Sequence, residues 1–471
     1  MHRKQQRVPL TISHRSGWRD YQAALKRTAA SRKRHRRLFR AGCLLILTAL
    51  AGWVAAGGLT GLKARFGETA LPPTEIVAPS STADPAHGML DKSKLQPMLA
   101  AAQLMNTRED YFYITADDQQ LCIDTSLDLN LQNYLYGKMN TAHARQIAMV
   151  VLDPDSGQVK AMVGYDKHDP AANTCLDNGI PAASVFKIVT AAAAIDTFDF
   201  SPETVFLFNG AKHTLYKRQL LEKKNRYTNR ITLKQSFAQS VNPVFGKLGT
   251  HHLGRENLEK YSLAFGFNQH FAFELPLGPS RFAVSDDPYH WAELACGFNR
   301  STTISPLHGA LMAATIANAG ELVEPTVIDR VTDARGRIVY SHLARKRDRI
   351  ITPDTSAALE RMMEATIRSG TCRKEFRGSR RDKVLSRLTI GGKSGSISNR
   401  AHDTRYDWFV GYAEEKAGTG KIAVAVLVAH EAYIGLRAAY YARLAIRHYF
   451  DAYFFNVDAG SGDKVTRAGV S

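Results

Sequence analysis

Residues 41–62, AGCLLILTALAGWVAAGGLTGL, form an apolar run without a single charge. As an α-helix rising about 1.5 Å per residue the run is about 33 Å long, enough for a hydrocarbon layer of roughly 30 Å. SRKRHRRLFR, residues 31–40, stands directly before it, and Lys63 and Arg65 follow. The heavier positive flank assigns the N-terminal arm to the cytoplasm and everything beyond residue 62 to the far side of the membrane. A leader that reaches residue 40 before the apolar run begins is too long for a cleaved signal peptide. A buried core helix would leave the flanking charge unexplained. The expected organisation is a basic cytoplasmic arm at 1–40, a single transmembrane helix at 41–62 and a stalk at 63–96. A folded domain at 97–455 and a tail at 456–471 complete it. The stalk is read from PPTEIVAPSSTADP, whose proline, serine and alanine content suits a linker better than a core.

Charge is concentrated in the arm. The net charge of the 471 residues is +18, yet positions 1–40 hold 13 Lys/Arg against one acid, Asp20. Subtracting these from the totals of 62 and 44 leaves 49 basic and 43 acidic side chains for the rest of the chain. That near balance excludes a nucleic-acid-binding body on charge grounds. Among five cysteines, Cys43 lies in the apolar run, and Cys122, Cys175, Cys296 and Cys372 form no CxxC pair. An external location permits one or two disulfides among them, unassigned by sequence. The 16 histidines, His251-His252 included, show no metal spacing and read as surface or loop residues. Asp153, Asp155 and Gly157 lack the full ligand series of a calcium loop and read as a hairpin turn. No metal and no cofactor is expected. RKEFRGSRRDK, 373–383, reads as a solvated basic loop, with contact to an anionic glycan, phospholipid or peptide as the alternative.

Periodicity outlines the body. A helix is expected over 90–105, a strand leading into a helix over 121–139, and a hairpin over 147–165 around DPDSG. Helices follow from Pro181, from Thr232 with an interruption at Asn242-Pro243, over 305–320 and over 352–370. Strands at 388–396, 406–414 and 421–430 are joined too briefly for parallel crossovers, and 432–450 makes an amphipathic closing helix. The fold class is therefore α/β (α+β): a five-stranded antiparallel sheet flanked by helices, behind an N-terminal transmembrane helix.

Within the helix from Pro181, Ser184 and Lys187 are three positions apart on one face. A serine hydroxyl needs a base before it attacks anything. Lys187 stands among Val185, Phe186, Ile188 and Ala191–Ala194, surroundings that desolvate the amine and push its pKa down. By itself the pair still reads as a lysine snorkelling beside a cap serine. Two further segments change that. Ser240-Val241-Asn242 follows downstream, where Pro243 breaks a helix, with a hydroxyl to relay a proton and an amide to orient Lys187 or hold a substrate carbonyl. GGKSGS, 391–396, comes later still. Its glycines let a peptide lie against the strand, Lys393 attracts a carboxylate, and Ser394 hydrogen-bonds it.

SVFK, SVN and KSGS, in this order, resemble the SxxK, SDN and KTG signature of the serine penicillin-binding protein transpeptidases. Val241 stands where that pattern has aspartate, and Ser394 where it has threonine. LCIDTSLDLNLQ, AMVVLDPDSGQVKAMVG, ISPLHGALMAATIANAG, SGTCRKEF and DWFVGY are also similar to segments of that family, so the likeness covers roughly residues 115–450. The resemblance implies a β-lactamase/transpeptidase-like fold and a peptidoglycan D,D-transpeptidase that crosslinks stem peptides and is acylated by β-lactam antibiotics. It implies Ser184 as nucleophile, Lys187 as base, and Ser240, Asn242 and Lys393 as their catalytic partners. Ser394, Gly395 and Ser396 would bind substrate, and the backbone N–H groups of Ser184 and Ser396 would form the oxyanion hole. Residues 62–115 leave no room for the glycosyltransferase domain of bifunctional relatives, so a glycan polymerase or cell-wall complex is an expected partner beside the cytoplasmic membrane. A D,D-carboxypeptidase or serine β-lactamase is the enzymatic alternative, and a noncatalytic β-lactam-binding scaffold or sensor the other.

Overall fold

The computed structural model describes residues 90–467 except 117 and 345, and their side chains except those of 346–348 and 458–467. The basic arm, the apolar run at 41–62 and nearly all of the stalk lie outside the described residues. Among the described residues no helix is long and apolar enough to cross a membrane.

Five strands form the central sheet: β1 (Ala144–Leu152), β2 (Val159–Asp166), β3 (Leu388–Ser398), β4 (Arg405–Glu415) and β5 (Lys421–His430). Their spatial order is β3-β4-β5-β1-β2, and every neighbouring pair is antiparallel. Side chains alternate across the sheet because successive Cβ atoms point to opposite faces. Ala148, Val150 and Leu152 of β1 enter one core with Ala423, Ala425 and Leu427 of β5. Ile147, Met149 and Val151 enter a second core with Ile422, Val424, Val426 and Val428. Both faces are apolar, so both need a helical cover.

Helix α1 (Lys187–Phe198) and helix α3 (Pro306–Ala317) lie in the first core, and every residue of α3 is buried. Helix α4 (Pro353–Arg368) packs along β3, and the long closing helix α5 (Ala438–Arg467) covers the second core. Ser305 and Thr352 cap α3 and α4 by accepting hydrogen bonds from the backbone N–H groups of His308 and Thr355.

Several expectations change. The helix expected over 90–105 shrinks to Lys92–Met98. The helix from Thr232 ends at Ala238, and Pro243 stands in the first turn of the next one, α2 (Asn242–Lys247), where a missing N–H costs nothing. The closing helix continues past the expected boundary at 455 to Arg467. A four-stranded antiparallel sheet built from Tyr111–Ala116, Gln119–Thr125, Ile328–Asp333 and Ile338–Ser341 was foreshadowed only by the strand after residue 120. Cys122, Cys175, Cys296 and Cys372 are free thiols, so none of the suggested disulfides forms among the described residues. His308 and His430 are buried rather than superficial. Burial pushes the imidazole of His308 down to about 4, so it is neutral. Its Nε2 lies 2.7 Å from the Phe265 carbonyl oxygen.

Candidate active site

Ser184 stands in a single 3₁₀ turn, Ala183–Phe186, that feeds α1 at Lys187. Side chains at i and i+3 eclipse in such a turn, which brings the lysine back over the serine. The turn is held from several directions. Trp408 Nε1 donates to the Pro181 carbonyl at 2.9 Å, and the Ala182 N–H donates to the Thr302 carbonyl at 3.0 Å. Ala183 takes a left-handed conformation with φ 51°. A residue with a Cβ pays about 1–2 kcal/mol for that conformation. A further support is Gly297, at φ 65°, where an added Cβ would lie 1.9 Å from the Ala183 carbonyl oxygen. Only glycine lets the helix Pro288–Cys296 end against the serine turn.

That close approach places the Cys296 carbonyl 2.6 Å from Lys187 Nζ. Ser184 Oγ and Asn242 Oδ1 each lie 2.8 Å from the same nitrogen. Asn242 is fixed in turn, because its Nδ2 donates to the His213 carbonyl at 3.1 Å. Lys187 is fully buried, with the Phe245 ring 5.5 Å from its Nζ, while Ser184 is half-buried and open to a ligand. Burial lowers Lys187 from the usual lysine range to about 8. Once neutral, the amine keeps two N–H bonds and gains a lone pair. Asn242 Oδ1 and the Cys296 carbonyl only accept, so they take the two N–H bonds. The lone pair then faces Ser184 Oγ, the one neighbour with a proton to give.

Lys393 makes a second arm. Its Nζ donates to Ser240 Oγ at 3.1 Å and to the Ser394 carbonyl at 2.8 Å, over the Phe237 ring. Burial first, and the charge of Lys187 second, hold it well below the ordinary lysine value. Its amine is therefore committed to Ser240 rather than presented at the surface for a carboxylate, which corrects the sequence expectation. Ser240 adopts φ 55° in the turn between Ala238 and α2. Val241 is fully buried with Phe208, Ile231 and Val244, so the position held by aspartate in the SDN pattern faces the core in this chain.

Gly395 brings β3 against the serine turn: a Cβ there would lie 3.3 Å from the Ser184 backbone nitrogen. Ser394 and Ser396 flank it, both half-buried. All the candidate residues thus gather around one seam between the Ser184 turn, the 240–242 turn and β3. Thr371, Arg405, His213 and Cys296 also belong there and were not singled out in the sequence. Thr371 Oγ1 is 2.5 Å from Ser394 Oγ, and Arg405 Nε donates to Ser396 Oγ at 2.8 Å. Arg405 is opposite Ser398 in the β3–β4 register, a placement that only strand pairing produces. Thr371 lies in the SGTCRKEF segment, the nearest thing to a sequence signal. Among the described residues no carboxylate hydrogen-bonds to Ser184, Lys187, Ser240, Asn242 or Lys393.

Residues 147–446 match the model of the penicillin-binding protein transpeptidase domain. The chain is similar to penicillin-binding protein PbpB of Mycolicibacterium smegmatis, 26% identical over 316 residues, which are 61% of this chain and 46% of that protein. It is also similar to the peptidoglycan D,D-transpeptidase PbpA of the same organism, 23% identical over 366 residues, covering 69% of this chain and 71% of that one. In fold it resembles the D,D-transpeptidase domain of a peptidoglycan glycosyltransferase from Eggerthella lenta, with TM-score 0.58 and 21% identity over 70% of this chain and 83% of that one. The chain spans less than half the length of PbpB.

Proposed function

The chain belongs to the penicillin-binding protein transpeptidase domain family, and we propose that it is a peptidoglycan D,D-transpeptidase working through an acyl-serine. The observation that carries this reading is the triple coordination of Lys187, which leaves a neutral amine aimed at Ser184 Oγ. Lys187 takes the Ser184 proton as Oγ attacks the carbonyl of the penultimate D-alanine of a stem peptide. The oxygen of that carbonyl gains negative charge, and the backbone N–H groups of Ser184 and Ser396 receive it. Each donor of this type contributes about 3 kcal/mol to transition-state stabilisation. The C–N bond breaks, Ser240 passes a proton to the departing D-alanine amine, and the proton that Lys187 took from Ser184 replaces it on Ser240, held in place by Lys393, so both lysines end as they began. Ser394, Gly395 and Ser396 align the donor peptide. The amine of a second stem peptide then attacks the ester, restoring the Ser184 hydroxyl and completing the crosslink.

A β-lactam opens on Ser184 by the same first step. The lack of a carboxylate among the described hydrogen-bond partners of the site favours a long-lived penicilloyl ester over rapid hydrolysis. The charge pattern around residues 41–62 supports a single-pass anchor in the cytoplasmic membrane, with the arm inside and the catalytic domain in the periplasm. A separate glycan polymerase supplies the strands.

Ser184→Ala tests the reading. It abolishes covalent labelling by fluorescent penicillin while the protein keeps its thermal transition. Persistent labelling of the folded variant removes the nucleophile. Intact-mass analysis of the wild type with a stem pentapeptide and an acceptor amine separates crosslinking from hydrolysis.

A further inference from the structure

A cleft of about 710 Å³ lies along the first half of β3 rather than over Ser184. Arg368, Arg373, Arg377, Arg380, Arg381 and Lys416 line it, and no Asp or Glu does. Arg368 is paired with Glu364, and Lys416 donates to the Ser386 carbonyl. Arg373, Arg377, Arg380 and Arg381 are exposed, and among the described residues none has an acid within ion-pair distance. Four guanidinium groups around one concavity repel each other unless an anion joins them. The floor is different in character: Ile367, Phe376, Leu385, Leu388 and Ile390 are apolar and belong to the second core.

The cleft is built rather than improvised. Asp382 accepts from the backbone N–H groups of Val384 and Leu385 and from Arg447 of α5, which ties the 371–387 segment to the domain. The same segment starts at the candidate site: Thr371, whose Oγ1 is 2.5 Å from Ser394 Oγ, stands just before Arg373.

We propose that this cleft binds the amine-bearing peptide that receives the acyl group, gripping its carboxylates with the guanidinium groups and its aliphatic side chains with the floor. The inference rests on the crosslinking reading above and names the second substrate's subsite. Guanidinium forks match carboxylates bidentately, and the apolar floor suits a peptide better than a bare polyanion. Arg373 of the cleft follows two residues after Thr371, which touches Ser394, so the chain itself links the cleft to the candidate site.

The test uses the full chain with a soluble donor peptide, a carboxylate-bearing acceptor peptide and penicillin. Losing two exposed charge-assisted contacts in R373A/R377A raises the KM for the acceptor about tenfold, with the acylation rate by penicillin unchanged. Charge reversal in R377E/R380E raises it further, and added salt narrows the difference from wild type. K374A removes a cation from the same run outside the cleft and leaves the acceptor KM unchanged. Normal acylation with an unchanged acceptor KM in the reversed variant overturns the inference alone. So does loss of inorganic polyphosphate binding without loss of acceptor affinity, which would make the cleft a phosphate site. A wild-type chain that penicillin never acylates overturns the crosslinking reading and this subsite together.

Discussion

Replacing Asn242 by aspartate probes the charge state on which the mechanism turns. The side chain keeps its size, and an oxygen stays 2.8 Å from Lys187 Nζ. With Lys187 at about 8, roughly a tenth of wild-type molecules carry the neutral amine at about pH 7. A carboxylate against that amine favours the ammonium and raises its pKa by about 1–3. A raised lysine pKa means less neutral amine at any pH below it. At neutral pH the competent fraction therefore falls by about 10- to 1000-fold, equivalent to about 1.4–4 kcal/mol on the acylation barrier. Stopped-flow acylation by fluorescent penicillin, measured from neutral to strongly alkaline pH, reads this directly. The wild-type rate climbs through a midpoint at about 8. The Asn242→Asp midpoint lies about 1–3 pH units higher, and its rate approaches wild type on the alkaline side. A folded variant that keeps the wild-type midpoint, or is slow by one constant factor at every pH, refutes the assignment of Lys187 as the base.

Two further perturbations address positioning and stability. Gly297→Ala places a Cβ 1.9 Å from the Ala183 carbonyl oxygen and 3.1 Å from the Ser184 nitrogen. The serine turn must shift by an ångström or so, which lowers the acylation rate by about a hundredfold in a protein whose melting temperature falls only modestly; an unchanged rate would show that the turn tolerates the displacement. Asp196 is pushed up by burial but pulled down further by hydrogen bonds from Tyr261, Thr352 and Thr355, so its carboxyl lies below the ordinary value. A depressed acid contributes stability that is complete above about pH 4 and is lost as pH falls through the folded value. Asp196→Asn should flatten that acid limb in denaturant melts, and an unaltered acid limb would sink the point.

The hairpin at 147–165, the strands from 388 to 430 and the helices capped by Ser305 and Thr352 were legible because local period and caps decide them, whereas the helix expected from Pro181 begins only at Lys187, after the 3₁₀ turn that holds Ser184. The sheet that pairs Leu121 with Asp333 was not legible, because its partners are far apart in the chain and Tyr111–Ala116 alternates between exposed and half-buried positions with no fully buried side. Ser184, Lys187, Ser240, Asn242 and Lys393 could be named because SVFK, SVN and KSGS, in that order, resemble a known catalytic signature. The partners each side chain meets come from packing. Lys393 was read as a carboxylate anchor, and the fold buries its amine beneath Ser240. Cys296 acts through a backbone carbonyl, which any residue supplies, so nothing in its identity announces it. Residue type and local order thus determined which groups could react and in which elements they stand. The direction of the Lys187 lone pair and the depth of its burial belong to the tertiary structure alone, since both depend on carbonyls and rings that sequence-distant segments bring to it.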